Sequence, residues 1–392
     1  MYKNIEINIT KIPRELMLIL EIIKSEENDM SFSDYLHEIN WDSFLQLALH
    51  HRLYPVLYTK LLKNEKKLVP EWILQSLKQH FRKNTFKMLY LCGEMEQLSK
   101  VFTEHKIRSL FLKGPILAAD LYGDISQRTC GDLDILIPIE DLDKANQLLE
   151  KIGYKKDEYI KSLLNDWKWR HHHFTYYHPI KNTKIEIHWR LNPAPGKEPG
   201  FNELWDRKRK TTITGFPSYY LGNEDLFFFL VTHGARHGWS RLRWLLDIHQ
   251  MVKTELKWET LIELFKKHQS LHIGGQALIL SANLMGSHLD KKMKSLINGK
   301  LPIKLASESI FYVERMVNLH TDPVPREISE FHAKHLFSLM SFQQKVVYLL
   351  SFLHPYYADA ETLPLPNRLH FLYYPLRPVL WVFRKTRKHA LP

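Results

Sequence analysis

Two aspartates stand one residue apart in the segment Gly131–Ile137, and apolar residues alternate with them. On a β-strand alternate side chains share a face, so Asp132 and Asp134 are predicted to project together while Leu133 and Ile135 enter a core. Two carboxylates held side by side repel each other and lose hydration, and a divalent cation removes both costs. Hard oxygen ligands of this kind predict Mg²⁺ or Mn²⁺ as the cofactor.

A third carboxylate lies on a second predicted strand, Lys184–Arg190. The same alternation places Glu186 and His188 on one face of that strand and Ile185 on the other. If the two strands are neighbours, Glu186 joins the aspartate pair. Three carboxylates can hold two metal ions ~3.5–4 Å apart, which activates an attacking oxygen and neutralises a leaving one.

Upstream of the aspartates, a Lys-Gly-Pro turn joins a short predicted strand to a predicted helix. Pro115 suits the first helical position because its missing N–H costs nothing there, and Gly114 lets the backbone approach a ligand closely. A helix N-terminus attracts phosphate. Lys113 and Arg128 are therefore predicted to bind the oxygens of a triphosphate.

Taken together, these features resemble the nucleotidyltransferase superfamily that includes DNA polymerase beta, and more closely the bacterial uncharacterised nucleotidyltransferases. The resemblance covers roughly residues 40 to 290 and is carried by Phe111–Gly114, Tyr122, Arg128, Gly131–Leu136, Leu148–Tyr154, Ile185–Trp189, His233–His237 and Leu242–Asp247. It implies that Asp132 and Asp134 bind metal, that Glu186 is the third carboxylate, and that Gly114 begins the nucleotide-binding helix.

The resemblance also implies a reaction, the metal-dependent transfer of a nucleoside monophosphate from a triphosphate, with ATP favoured, to a hydroxyl acceptor. Pyrophosphate would be released. His188, Arg243 and Asp247 are predicted to join the nucleotide contacts. A small molecule, a sugar or peptide intermediate, and a protein hydroxyl all remain open as acceptors.

One residue departs from the superfamily pattern, in which Ser or Gly usually follows the glycine of this turn. Here Pro115 follows Gly114, so neither that hydroxyl nor that N–H exists. A nucleotide-binding protein without catalysis is therefore one alternative. An RNA nucleotide-adding enzyme is a second, suggested by the net charge of +12 and ranked lower because no RNA-binding motif is present.

Three consecutive histidines precede the Glu186 strand on a further predicted strand, Arg170–His178. The middle one should face away, so His171 and His173 could join His188 in a metal site. A polar, aromatic sheet surface near the substrate is the favoured interpretation.

A second histidine pair, His233 and His237, shares one predicted helix face, but Gly234 replaces the glutamate of a zinc protease. Two interpretations are equally weighted. Either this helix closes the pocket with a polar face, or its histidines pack between helices while Arg243 and Asp247 form a surface pair.

The composition is that of a globular protein, with 44% hydrophobic and 25% charged residues in a chain of 392. The 55 Lys and Arg exceed the 43 Asp and Glu, which favours anionic partners. Two cysteines exclude a disulfide framework, and no apolar run is long enough to span a bilayer. With no signal peptide at the N-terminus, a cytoplasmic location is predicted.

The predicted fold class is α+β, with a small mixed β-sheet core over residues 96–222. An N-terminal helical region over 1–95 and a C-terminal helical domain over 223–392 flank it. In the first region Asn40 is a predicted helix cap. In the last, Ser240 is another, and the basic, aromatic tail after Pro364 favours solvated helix packing over an anionic membrane surface.

Overall fold

The computed structural model describes residues 5–25, 38–63 and 69–389, with side chains described up to position 386. Within these ranges a seven-stranded mixed sheet lies in the middle of the chain, and helices come before and after it. This architecture confirms the predicted α+β class.

The helices before the sheet bury one apolar face each. Their bounds are α1 Arg14–Lys24, α2 Trp41–His50, α3 Tyr54–Lys63 and α4 Glu71–Glu104. Asn40 caps α2 as predicted, because its side chain accepts a hydrogen bond from the backbone N–H of Ser43 at 2.9 Å. Helix α4 crosses position 95, where the first predicted region ends, and carries the chain directly towards the first strand.

The sheet places the two carboxylate-bearing strands side by side. Its strands are β1 Leu110–Phe111, β2 Leu133–Leu136, β3 Lys155–Lys156, β4 His173–His178, β5 Thr183–His188, β6 Arg209–Thr211 and β7 Ser218–Tyr220. Their spatial order is β3-β4-β5-β2-β1-β7-β6. Strand β2 runs parallel to β5 and antiparallel to β1, and β4 and β5 form the predicted hairpin.

Short helices follow the strands of the core. They are α5 Pro115–Tyr122, α6 Leu142–Lys151, α7 Trp167–Arg170 and α8 Phe201–Asp206. The predicted turn into α5 is confirmed: Gly114 has φ 96° and ψ −152°, a conformation that favours glycine, and Gly123 ends α5 at φ 72°.

The strand predicted over Arg170–His178 is wrong in its first part. Trp167–Arg170 forms the helical turn α7, in which the Arg170 N–H donates to the Asp166 carbonyl at 2.9 Å. The Arg170 side chain also donates to the Asp166 carboxylate at 2.8 Å. These local bonds hold the turn, so the strand begins only at His173.

Helices form the rest of the described chain. They are α9 Asn223–Arg236, α10 Arg243–Val252, α11 Trp258–Lys267, α12 Leu271–Met285, α13 Lys294–Ile297, α14 Lys300–Glu314, α15 Arg326–Leu339, α16 Phe342–Ser351, α17 Tyr357–Thr362 and α18 Tyr373–His389. The predicted cap at Ser240 is wrong, because α10 begins at Arg243. The Ser240 N–H instead donates to the His237 carbonyl in the turn after α9.

Gly234 leaves room on α9 for the buried indole of Trp239. A Cβ at Gly234 would lie 2.3 Å from a ring carbon of Trp239, whereas one at Gly93, on the exposed side of α4, would meet nothing within 4 Å. We expect Gly234→Ala to lower the free energy of unfolding by about 1–3 kcal/mol through overpacking. The matched variant Gly93→Ala should raise it by about 0.5–1 kcal/mol, since glycine disfavours a helix interior. Urea unfolding of both variants checks this, and equal stabilities would contradict the packing described here.

The C-terminal helices leave many apolar side chains exposed. Helices α16 and α18 expose Phe342, Leu350 and Val379 among others. Solvated helix packing of the tail stays a prediction, and the solvent-facing side chains are apolar as well as basic. No helix within the described residues is both long and apolar enough to cross a bilayer.

Candidate active site

The three predicted carboxylates converge at the junction of β2 and β5. Asp134 is the register partner of Glu186 across the parallel pair. The His188 Nε2 lies 3.2 Å from Asp134 Oδ1 and 3.5 Å from Glu186 Oε2. On the outer side, Lys184 Nζ lies 2.6 Å from Glu186 Oε1 and 3.3 Å from Asp132 Oδ2. Lys184 and His188 thus link all three carboxylates, and alternation along β5 put them on the Glu186 face.

Asp134 is the buried centre of this cluster. Its side chain is only 2% exposed, and Lys113 Nζ lies 3.1 Å from its Oδ1. Its other oxygen, Oδ2, is buried and has no hydrogen-bond partner. A buried acceptor without a partner is rare in folded proteins, so this oxygen is available to a bound cation or a ligand donor.

The charges in the cluster shift the pKa of each member. Burial, together with the neighbouring Asp134 and Glu186, raises the pKa of Asp132. Burial alone would raise the pKa of Asp134, but Lys113 and the His188 hydrogen bond outweigh it and lower the pKa.

Glu186 and His188 shift in opposite directions. Burial opposes ionisation of Glu186, but the hydrogen bond from His188 and the nearby His173 lower its pKa. Burial also opposes the charged form of His188, yet its hydrogen bonds to Asp134 and Glu186 raise its pKa. These contacts favour the imidazolium form of His188 between the two carboxylates in the cation-free protein.

The side chains that fit a cation differ in part from those predicted. Asp134, Glu186 and His188 each offer a ligand atom, and these atoms all lie within 4.8 Å of one another. The Nδ1 of His188 lies 3.4 Å from the Arg190 carbonyl, which can only accept, so this contact leaves Nε2 for a metal. Asp132 lies at the more exposed edge of the cluster.

The Lys113-Gly114 turn, which follows β1, lies beside the three carboxylates. Lys113 contacts Asp134, and a Cβ at Gly114 would lie 3.3 Å from Leu133 of β2. Helix α5 begins at Pro115 with no side-chain cap on its first amides. Its N-terminus and the Lys113 ammonium thus form a positive edge beside the carboxylates.

Arg128 and Asp247, both predicted to contact nucleotide, are buried and pair with each other. Arg128 is 1% exposed and donates to Asp247 through Nε and Nη2, both at 2.9 Å. Tyr122 donates to the same carboxylate at 2.8 Å. Arg243 donates to the carbonyl and hydroxyl of Thr129 at 2.5 and 2.6 Å.

We therefore correct the roles of these three residues. Asp247 is buried and paired with Arg128, so the proposed surface pair between Arg243 and Asp247 is wrong. Arg128 and Asp247 bind each other, and Tyr122 also donates to Asp247. Together with Arg243 they anchor the segment that leads into β2, which positions the aspartates.

The histidines of α9 pack between helices. The rings of His233 and His237 contact the Trp244 ring, with centroids 5.5 and 5.2 Å apart. Burial lowers the pKa of both to well below the ordinary range. Between them, Arg236 has a buried Nε without a partner, and its charge interacts with Glu186.

The histidine triplet also differs from the prediction. His172 and His173 approach His188, whereas the prediction paired His171 with His173. Sequence reasoning missed Lys184 as a member of the site, although alternation along β5 could have identified it. Arg236 was predicted on the polar helix face that closes the pocket, and its charge interaction with Glu186 agrees with that position.

Comparison with known proteins identifies the family. A family model described as uncharacterised nucleotidyltransferase matches residues 37–286, which is more than half of the chain and contains every residue of the carboxylate cluster. No curated protein and no solved structure is detectably similar to the chain. The chain therefore belongs to the uncharacterised nucleotidyltransferase family.

Proposed function

We propose that this protein transfers a nucleoside monophosphate from a nucleoside triphosphate, with ATP favoured, to a hydroxyl acceptor and releases pyrophosphate. The observation that carries the proposal is the convergence of Asp132, Asp134 and Glu186 beside the Lys113 turn. The family match supports nucleotidyl transfer in general. The order of turn, Asp-x-Asp strand and Glu strand supports a place in the superfamily that includes DNA polymerase beta.

The proposed reaction uses a divalent cation, Mg²⁺ or Mn²⁺, as its cofactor. The buried, unpartnered Oδ2 of Asp134 and the closely spaced atoms of Glu186 and His188 fit such an ion. Asp132 would complete its ligands from the exposed edge. When bound, the ion supplies stabilisation of negative charge on the triphosphate.

Residues of the chain accept the proton and stabilise charge during the transfer. The acceptor oxygen attacks the α-phosphorus, and the bond from that phosphorus to the bridging oxygen breaks. The acceptor proton passes to Asp132, whose raised pKa and partial exposure make it the better base of the aspartate pair. Lys113 and the N-terminus of α5 stabilise the charge that develops on pyrophosphate.

Position-specific labels test the reaction. Purified protein is incubated with α- or γ-labelled nucleoside triphosphates, a divalent cation and lysate fractions. We expect the α-label on an acceptor and the γ-label only in pyrophosphate. Transfer of the γ-label to an acceptor, or release of orthophosphate alone, would contradict nucleotidyl transfer.

Pro115 supports a second candidate function, nucleotide binding without catalysis. This residue provides no N–H at the first position of α5, where a phosphate would otherwise find a donor. Calorimetry showing binding of magnesium-ATP without pyrophosphate release would favour this function. Steeply salt-dependent RNA binding would instead favour RNA as the acceptor.

Cation binding should depend on pH through His188. Its pKa is raised above the ordinary value of 6.5, so the imidazolium must lose a proton before Nε2 can bind a metal. We expect the affinity for Mn²⁺ to increase from about pH 6 to about pH 8, by up to tenfold per pH unit.

The free energy of unfolding of the cation-free protein should instead decrease as pH rises. The imidazolium contribution is complete below pH 6.5 and is lost as pH rises through the raised pKa.

Calorimetric titration with Mn²⁺ across this range measures the effect. The variant His188→Gln removes the titrating group and should flatten the profile. A wild-type affinity that does not change with pH would show that His188 is not a ligand.

A further inference from the structure

Three imidazole rings gather at the end of the β4–β5 hairpin. His172, His173 and His188 each offer a ring nitrogen, and these nitrogens lie within 4.8 Å of one another. The Nε2 of His172 lies 3.2 Å from Nδ1 of His173. Ligand nitrogens around one metal ion lie about 3.3–3.5 Å apart when each bond is ~2.0–2.1 Å, so the His172 and His173 nitrogens already have nearly that spacing. The other ring nitrogen of His173, Nε2, faces Glu186, so this ring would bind an ion through one of its two nitrogens.

Two features of the backbone produce this grouping. His173 is the register partner of His188 across the hairpin, which places those two rings together. His172 lies in the bend before β4. It is therefore not subject to the alternation of strand side chains, which would place it on the opposite face from His173. Its carbonyl is held by the Trp189 N–H at 3.0 Å, which fixes the bend against β5.

The imidazoles adjoin the carboxylates of the candidate active site. Glu186 Oε2 lies 3.7 Å from Nε2 of His173 and 3.5 Å from Nε2 of His188. Imidazole nitrogen is a good ligand for late transition-metal ions such as Zn²⁺ and Co²⁺, whereas Mg²⁺ prefers oxygen. The donor set therefore discriminates between classes of cation.

We propose that His172, His173 and His188, with Glu186, bind a divalent transition-metal ion in preference to Mg²⁺. The inference rests on the proposed function for the role of Glu186, and it selects a transition-metal ion over Mg²⁺ as the cation of that reaction. His188 belongs to both the imidazole group and the carboxylate group, so the two groups share one metal in this proposal.

Metal binding without nucleotide tests this inference. Metal-free protein is titrated with Co²⁺, whose visible absorption reports nitrogen ligation, and separately with Mg²⁺ by calorimetry. We expect one Co²⁺ per chain, bound about 100-fold more tightly than Mg²⁺. His172→Ala and His173→Ala should each weaken Co²⁺ binding at least about tenfold. His171→Ala, one residue outside the cluster, is the matched control and should bind as wild type.

The outcomes separate this inference from the proposed function. Equal Co²⁺ affinity in the wild type and both cluster variants, with their melting temperatures unchanged, would overturn the histidine site. A Co²⁺ site with the expected variant pattern supports it even if no nucleotidyl transfer is found. Transfer that proceeds with Mg²⁺ in a protein that binds no Co²⁺ would overturn this inference alone.

An independent observation concerns the far end of the chain. More than half of the exposed large apolar side chains among the described residues lie after position 340. Phe342 is 81% exposed and Val379 is 65% exposed. The other members of this apolar face include Val347, Leu349, Leu350, Leu353, Phe371, Trp381 and Val382.

Helix α18 is attached through its other side to the loop between β3 and α7. Tyr373 and Leu380 pack against Leu163, seven residues apart on one helical face. Arg377 lies between them on that face and donates to the buried carboxylate of Asp359 at 2.8 and 2.9 Å. This attachment holds the helix in place and turns its remaining apolar residues outward.

The charge around the apolar face is basic. Two acidic residues follow position 340; Asp359 is buried against Arg377 and Arg384, and Glu361 pairs with Lys161. Beside Arg377 and Arg384, the basic residues of this stretch with described side chains are Lys345, Arg368 and Lys385. Lys385 lies over the Trp381 ring at 4.4 Å, an aromatic–basic pair suited to a lipid headgroup layer.

We propose that this apolar face, formed by α16, α18 and the segment between them, docks on the surface of an anionic lipid bilayer. Apolar and aromatic residues would enter the boundary of the acyl chains, while exposed basic side chains such as Arg368 and Lys385 meet the headgroups. Since no described helix can span a bilayer, the association would be peripheral.

Vesicle flotation tests the docking. We expect the full chain to float with phosphatidylcholine vesicles that contain phosphatidylglycerol, less so at high salt, and little with phosphatidylcholine alone. The double variant Val379→Glu, Trp381→Glu should lose most of this binding. Ile180→Glu, at an isolated apolar residue 90% exposed in the β4–β5 turn, is the matched control and should float as wild type. Equal flotation of the double variant, or a stable dimer in which the face is covered, would overturn the proposal.

Discussion

Asp134→Asn is expected to reduce transfer of the α-label by about a thousandfold or more. The substitution keeps the shape of the side chain but removes the negative charge at the centre of the cluster. Several kcal/mol of transition-state stabilisation depend on the cation in reactions of this type, and each 1.36 kcal/mol is a factor of ten in rate. Initial rates with saturating triphosphate and Mn²⁺ measure the loss.

Folding must be checked in the same variant, because Asp134 is buried beside Lys113. Its melting temperature and circular dichroism are therefore compared with those of the wild type. Asp143→Asn, at an exposed carboxylate in the first turn of α6, is the control and should keep full activity. A folded Asp134→Asn protein with wild-type transfer would remove the carboxylate cluster from the mechanism.

Asp247→Ala is expected to be the most destabilising of the substitutions considered, by about 3–5 kcal/mol. Arg128 is 1% exposed, so removal of its partner leaves a buried guanidinium without compensation. Tyr122 loses its acceptor in the same step. Urea unfolding monitored by fluorescence gives the change in the free energy of unfolding.

Two comparisons identify the origin of that loss. The double variant Arg128→Met, Asp247→Leu removes both charges and should recover most of the stability. Glu330→Ala breaks the exposed pair with Arg326 and should leave the unfolding midpoint unchanged. If Asp247→Ala kept wild-type stability and lost only nucleotide affinity, the role in nucleotide binding first predicted for Asp247 would be restored.

The local parts of the candidate site could be predicted because they depend on short spacings. Alternation along a strand was enough to place Glu186 and His188 on one face of β5. The Lys113-Gly114-Pro115 turn predicted the start of a helix. Proline is tolerated at the first helical position, and glycine readily adopts the positive φ that the turn requires. In each case the information lies within a few residues.

Partners that are distant in the chain could not be predicted in this way. Arg128 looked like a phosphate ligand until the fold placed Asp247, 119 residues later, against it. The charge of Arg236 on α9 interacts with Glu186 on β5, about 50 residues earlier, only because the fold brings these elements together, and no local pattern predicts this. A charged side chain is attracted to whichever partner the fold brings near, so its role depends on packing.

The sequence by itself determined which faces the acidic residues occupy, where α2 and α5 begin, and the α+β class. Those properties follow from the periodicity of strands and helices and from glycine and proline geometry. Only the tertiary structure decided that Arg128 is buried with Asp247, that a bend turns His172 towards His188, and that the last helices expose an apolar face. Contacts of that kind depend on which elements become neighbours, and this is set by the burial of the whole core rather than by the spacing of nearby residues.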